Sequence, residues 1–271
     1  MYLFPPPHSL RGVKLRAAVL GFFFLAACGG DVNSSAQLAA STSSTATPTT
    51  ATPTTTAAPA SSTTATTARA TTTTGVSCPV PAIGAGATDV TTKPGDFDGN
   101  GAADVLRAYK LGPNWHLRAE LAGAGGSDVV VPGVDSVSGL KALGGFNLND
   151  TVADEAFAIV GSGASTTLVG IFAFVNCQLV RVTEMGNAAT FTVGASVQRR
   201  SGISCVQGGA LQVLSASTPP NASAPYTLVR QTYDVVGSAL MSANTSQTIL
   251  AANDPALAAA SKFDCGSLTL N

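Results

Sequence analysis

The decapeptide Gly95-Asp96-Phe97-Asp98-Gly99-Asn100-Gly101-Ala102-Ala103-Asp104 returns 49 residues later, altered, as Gly144-Gly145-Phe146-Asn147-Leu148-Asn149-Asp150-Thr151-Val152-Ala153-Asp154. A weaker third echo runs Cys205-Val206-Gln207-Gly208-Gly209. Self-similarity at such a period means that one supersecondary unit is built repeatedly and each copy buries its apolar face against the next. Any fold for this chain must therefore stack similar units.

The units are made of strands. Ala103–Tyr109, Trp115–Leu121 and Asp128–Val131 are short runs between turn signals, and Trp115, Leu117, Ala119 and Leu121 alternate onto one face. The rhythm continues through Glu155–Val160, Leu168–Val175, Leu179–Thr183, Ala189–Val193, Leu211–Ser215, Tyr226–Tyr233 and Thr248–Ala252. Turn clusters such as Gly161-Ser162-Gly163-Ala164-Ser165 and Thr218-Pro219-Pro220-Asn221 separate these runs. Pro255 sits where a helix over 254–261 would begin. The expected fold is all-β, with antiparallel four-stranded blades or meanders in a β-propeller-like arrangement. About three units are expected, fewer than a usual closed propeller has.

This domain is expected to occupy 77–271, because the preceding sequence is of two other kinds. Arg11, Lys14 and Arg16 precede an apolar run, Ala17–Ala27, that is too short for the ~20 residues a membrane-spanning helix needs. It suits a signal peptide over 1–27. Leu25-Ala26-Ala27-Cys28 resembles the lipobox of bacterial lipoproteins. That resemblance implies cleavage before Cys28, a diacylglycerol thioether on its thiol, and a lipid-anchored protein on the extracytoplasmic face of the cell membrane. From Ser34 to Thr74 the chain is almost wholly Thr, Ser, Ala and Pro, so 28–76 reads as a disordered tether with no side chains to form a core.

Of the 14 basic residues in the chain three lie in the leader, which leaves 11 against 15 acidic ones and no basic run. Nucleic acid is thereby disfavoured as a partner. Beyond Cys28 there are four cysteines, an even number suited to an oxidising compartment. Three pairings are open. Cys78–Cys265 would staple the ends of the domain together and leave Cys177–Cys205 to tie neighbouring hairpins.

The first acidic loop carries the sharpest chemistry. Asp96, Asp98, Asn100 and Asp104 fall at positions 1, 3, 5 and 9, with Gly101 at the bend and the Ala102 carbonyl at position 7. An oxygen-rich loop of this kind suits Ca²⁺, which takes six to eight oxygen ligands. Arg107 stands where an EF-hand needs Glu, and a strand follows at once. The segment resembles FG-GAP or VCBS-type repeats, the blade motif of integrin α-subunit propellers. The resemblance implies Ca²⁺ held by Asp96, Asp98, Asn100, Ala102 and Asp104. It implies a weaker second site at Asn147, Asn149 and Asp154, with Phe97 and Phe146 packed beneath the loops.

Catalytic constellations are scarce. His116 is the one histidine after the leader and reads as a surface residue on the strand face opposite Trp115. There is no nucleophile elbow and no phosphate-cradling loop. The expected function is a non-enzymatic envelope module with a calcium-stabilised β domain that contacts a cell-wall polymer or another exported protein. The alternatives are a carbohydrate-active or other hydrolase using carboxylates such as Glu120, Asp154 and Glu155, and a purely architectural spacer.

Overall fold

The computed structural model describes residues 77–123, 125–220 and 224–270. The expected signal peptide, Cys28 and the Thr-rich tract lie outside the described residues.

Three antiparallel meanders follow one another. The first comprises β1 (Thr88–Gly95), β2 (Asp104–Leu111), β3 (Asn114–Glu120) and β4 (Gly126–Val130), hydrogen-bonded in that order as a separate four-stranded sheet. The second comprises β5 (Lys141–Phe146), β6 (Glu155–Ser162), β7 (Thr166–Val175) and β8 (Gln178–Arg181). Two short strands, β9 (Thr183–Glu184) and β10 (Asn187–Ala188), and then β11 (Thr190–Ala195) link it to the third. That last meander comprises β12 (Arg199–Cys205), β13 (Ala210–Ser217), β14 (Tyr226–Val236) and β15 (Ala239–Leu250). A one-turn helix, α1 (Ala256–Ala259), and β16 (Phe263–Asp264), parallel to β12, close the described chain. The helix expected over 254–261 is thus a single turn, whose first N–H, on Ala256, donates to Asp254 Oδ1 at 2.8 Å.

Only the first meander is a sheet by itself. β11 pairs with both β7 and β12, so the second and third meanders run edge to edge in one 12-stranded sheet. That sheet curls back on itself. β9 pairs in parallel with β15, the Thr183 N–H donates to the Ser238 carbonyl, and the Val182 N–H donates to the Ile171 carbonyl of β7 at 2.9 Å. The Tyr233 hydroxyl donates to Glu184 Oε1 at 2.6 Å across this closure. The architecture is all-β and antiparallel within each of the three meanders, as expected from the strand rhythm, and no closed ring of blades is formed among the described residues.

Burial explains the order of the layers. On β6, Ala156, Ala158 and Val160 join a core shared with Phe97, Leu106 and Leu117 of the first meander and with Leu140, just before β5. Phe157 and Ile159 join the opposite core with Phe191, Ile203, Leu211 and Tyr233. The uninterrupted apolar run of β6 is therefore the signature of a strand covered on both faces. β2 alternates and is covered by the other meanders on one face only. Small residues contribute to the first interface, where Ala108, Ala119, Ala142, Ala156 and Ala158 sit among larger Leu, Phe and Val side chains. A third cluster, Leu214, Tyr226 and Leu228 with Leu257 and Ala260, seats α1 on the third meander.

The disulfides differ from the expected pairing. They join Cys78 to Cys177 and Cys205 to Cys265, with Cα separations of 5.3 and 4.7 Å. Sheet register decides both. Cys78 bridges Gly125 at the edge of β4, and the Gly126 N–H donates to its carbonyl, which places it beside the β7–β8 turn that carries Cys177. β16 runs alongside β12 with Ser204 opposite Asp264, so the next residues in each strand are Cys205 and Cys265. Gly125, with φ +91°, cannot carry a side chain, since a Cβ there would lie 1.8 Å from the Cys78 carbonyl oxygen.

Candidate functional site

The structure aligns the repeat by 51 residues, where the sequence echo suggests 49. The Phe97 N–H donates to Asp104 Oδ2 and the Leu148 N–H to Glu155 Oε2, each at 2.8 Å and each across seven residues. Phe97 and Leu148 are both fully buried, whereas Phe146 ends β5 and is only partly buried. Leu148, not Phe146, is therefore the counterpart of Phe97. β1 ends at Gly95 and β5 at Phe146, while β2 begins at Asp104 and β6 at Glu155, all with the same offset.

In the first loop short polar side chains hold the backbone. The Asn100 N–H donates to Asp98 Oδ1 at 3.2 Å and the Ala102 N–H to Asn100 Oδ1 at 2.6 Å, a chain of Asx turns. The Gly101 N–H donates to Asp96 Oδ2 at 2.9 Å. Carboxylate oxygens of Asp96, Asp98 and Asp104 lie within 4.8 Å of one another. Asp104, 1% exposed, also accepts the Ala122 N–H at 2.8 Å, which fastens the loop to the end of β3. Burial raises its pKa above the ordinary carboxylate value, opposed by these two backbone bonds and aided by the charges of Asp98 and Asp96. Asp96 Oδ1 is buried without a hydrogen-bond partner among the described residues. An orphaned buried carboxylate oxygen is costly unless a cation reaches it. The three carboxylates are hard oxygen donors, a donor set that fits Ca²⁺.

The second loop uses the same scaffold differently. Asn147 Nδ2 donates to the carbonyls of Thr151 and Ala153, and Asn149 Nδ2 donates to Glu155 Oε1. The Asn149 amide thus delivers an N–H to the buried carboxylate that corresponds to Asp104. Burial raises Glu155 to about 7, with the neighbouring Asp154 charge adding to the effect and the Leu148 N–H opposing it. The Asn147 and Asn149 side chains are engaged by hydrogen bonds within their own loop. Asp154 turns to the first loop instead, where its Oδ2 accepts the Asp96 N–H at 2.9 Å and its own N–H donates to the Asp96 carbonyl at 2.7 Å. Beside this junction a cleft of about 560 Å³ is lined by Lys93, Asp96, Leu143, Asp154, Leu268 and Thr269.

His116 is not a free surface residue. Its Nδ1 lies 2.9 Å from Asp128 Oδ1, its ring stacks on Tyr109 with centroids 4.9 Å apart, and its side chain is 17% exposed. The Tyr109 hydroxyl and Arg118 Nη1 reach Asp128 Oδ2, and Arg118 also donates to the Pro81 carbonyl at 2.6 Å. Arg118 and Arg107 both engage Glu120, and the Arg107 bond first of all lowers the Glu120 pKa. The carboxylates considered for a hydrolase therefore have separate engagements: Glu120 with guanidiniums, Glu155 with loop amides, Asp154 with Asp96. Sequence reasoning missed this network, although His116, Arg118 and Glu120 alternate in the polar phase of β3. Adding Asp128 required the register that sets it opposite Arg118. Trp115 lines a second cleft of about 340 Å³, with the Lys110 ammonium 5.6 Å from its ring centroid.

No described helix is long and apolar enough to cross a membrane. Comparison with family models, curated proteins and solved structures finds no match for this chain.

Proposed function

We propose that this chain is a lipid-anchored, extracytoplasmic binding module without catalytic activity, whose β domain is stabilised by Ca²⁺ in the 96–104 loop. Asp96, Asp98, Asn100 and Asp104 would supply side-chain oxygens and Ala102 its carbonyl. The bound ion would neutralise the clustered carboxylates and fix the loop. The observation that carries the reading is the buried, unpartnered Oδ1 of Asp96, a residue whose carboxylate has an oxygen within 4.8 Å of oxygens of Asp98 and Asp104. The first two meanders, related by 51 residues and stacked through a shared core, support a propeller-like ancestry for the unit. The two disulfides support folding in an oxidising compartment, and the leader ending in Cys28 supports the lipid anchor. The ligand is a cell-wall polymer or another exported protein.

Calorimetric titration of the purified domain with Ca²⁺ after EDTA treatment tests the metal. Wild type takes up one ion and Asp98→Ala takes up none; absence of uptake by wild type sinks the calcium reading. Fatty-acid labelling that persists in Cys28→Ala would remove the anchor. Turnover of a glycan or peptide substrate, lost in Glu155→Gln or Glu120→Gln, would replace the binding module with a hydrolase.

A further inference from the structure

We propose that Ca²⁺ in the 96–104 loop also locks the first meander to the second, and that Asp154 is the positioning residue that couples the two. The inference rests on the calcium reading and adds to it a residue from outside the loop. Asp96 supplies the orphaned carboxylate oxygen, and its peptide is gripped on both sides by Asp154, which accepts its N–H at 2.9 Å and donates to its carbonyl at 2.7 Å. Two hydrogen bonds to one residue fix its orientation, so the direction of the Asp96 carboxylate is set by the second meander.

The rest of the loop sits on the same segment. A Cβ on Gly99 would lie 2.4 Å from Val152 Cγ2 and 3.1 Å from the Ala153 nitrogen. A Cβ on Gly95 or Gly145 would lie 3.0 or 2.8 Å from the Cα of the other. Residues 152–154 are therefore the floor of the loop. Asp154 also places a further carboxylate at this junction, beside Asp96. Like charges gathered across a joint push it apart, and a divalent cation among them reverses the sign of that interaction. The next joint has the same backbone link, the Gly208 N–H to the Asn147 carbonyl at 3.1 Å, but among the described residues no such group of carboxylates. Metal control is thus confined to the first joint.

Hydrogen–deuterium exchange on the intact protein, with saturating Ca²⁺ and with EGTA, reads the coupling directly. Calcium slows exchange in peptides covering 96–104 and equally in those covering 150–156, while peptides around 205–210 are unchanged. Protection limited to 96–104 overturns the proposal while leaving the calcium reading intact. Asp154→Ala weakens Ca²⁺ binding about tenfold or more, as loss of an outer partner of a metal ligand does. Asp154→Asn, which keeps an acceptor for the Asp96 N–H, restores most of the affinity. Wild-type affinity in Asp154→Ala, or equal loss in both variants, refutes the positioning role. No calcium response in the wild type removes the parent reading and this one together.

Discussion

Asp104 and Glu155 are one carboxylate placed twice: each begins the second strand of its meander and accepts, at 2.8 Å, the N–H of the residue seven positions earlier. What faces the two groups differs. Asp104 shares its loop with Asp96 and Asp98, while Glu155 receives the Asn149 amide.

Asp104→Ala strands the buried N–H of Phe97, removes the acceptor of the Ala122 N–H and removes a metal oxygen. An unsatisfied buried donor costs about 1–3 kcal/mol. The variant should lose roughly 1–3 kcal/mol in denaturant unfolding and no longer gain thermal stability from Ca²⁺. A variant that melts like wild type and still responds to calcium contradicts the assignment.

Glu155 titrates at about 7 when folded against an ordinary value of 4.5, so the folded protein binds its proton more tightly than the unfolded chain does. Its contribution to stability is full below pH about 4.5 and is lost as pH rises towards 7. The change is on the order of 2–3 kcal/mol. Glu155→Gln should flatten the stability–pH curve across that window, as measured by urea unfolding at a series of pH values. An unchanged slope would place the proton elsewhere.

Peptide mapping without reduction should recover Cys78 joined to Cys177 and Cys205 joined to Cys265. Removing the first bridge as Cys78→Ser/Cys177→Ser opens a loop of 99 residues. It should cost about 4–5 kcal/mol in the chain-entropy model. A Cys78–Cys265 peptide in the digest would contradict the observed register.

Asp128→Ala leaves Arg118, 7% exposed, without one of its two carboxylate partners and frees the ring of His116. Breaking a buried ion pair by removing one partner costs about 3–5 kcal/mol. Arg118 keeps Glu120, so the lower end applies. A loss below about 1 kcal/mol in denaturant unfolding would mean that the network is merely a solvated surface.

The sequence was most readable where burial falls on alternate residues. Leu106 and Ala108 on β2, Leu117 and Ala119 on β3, and Tyr226 and Leu228 on β14 are buried at alternate positions, and these strands lie within a few residues of expectation. β1 was missed because nearly every residue in it is exposed or half-exposed and it contains Pro94, so apolar periodicity was absent. β5 and β12 carry Gly144, Gly145 and Gly202 at close backbone approaches, where space and not side-chain chemistry sets the residue. The acidic loop could be read because its ligands are local in the chain. Asp154, the Arg118–Asp128 network and the cystine pairs could not, since each depends on which strands become neighbours.

The path of mechanical tension follows from the first disulfide. Chain entering at Ser77 meets a cystine one residue later, and its other half lies in the β7–β8 turn of the middle meander. A pull from the N-terminal side is carried by a covalent bond into the best-buried layer and bypasses β1, whose hydrogen bonds to β2 would otherwise unzip one after another. Reduction of that bond converts a load-bearing suspension into a peelable one, so the force at which the domain yields is set by the redox state of its surroundings.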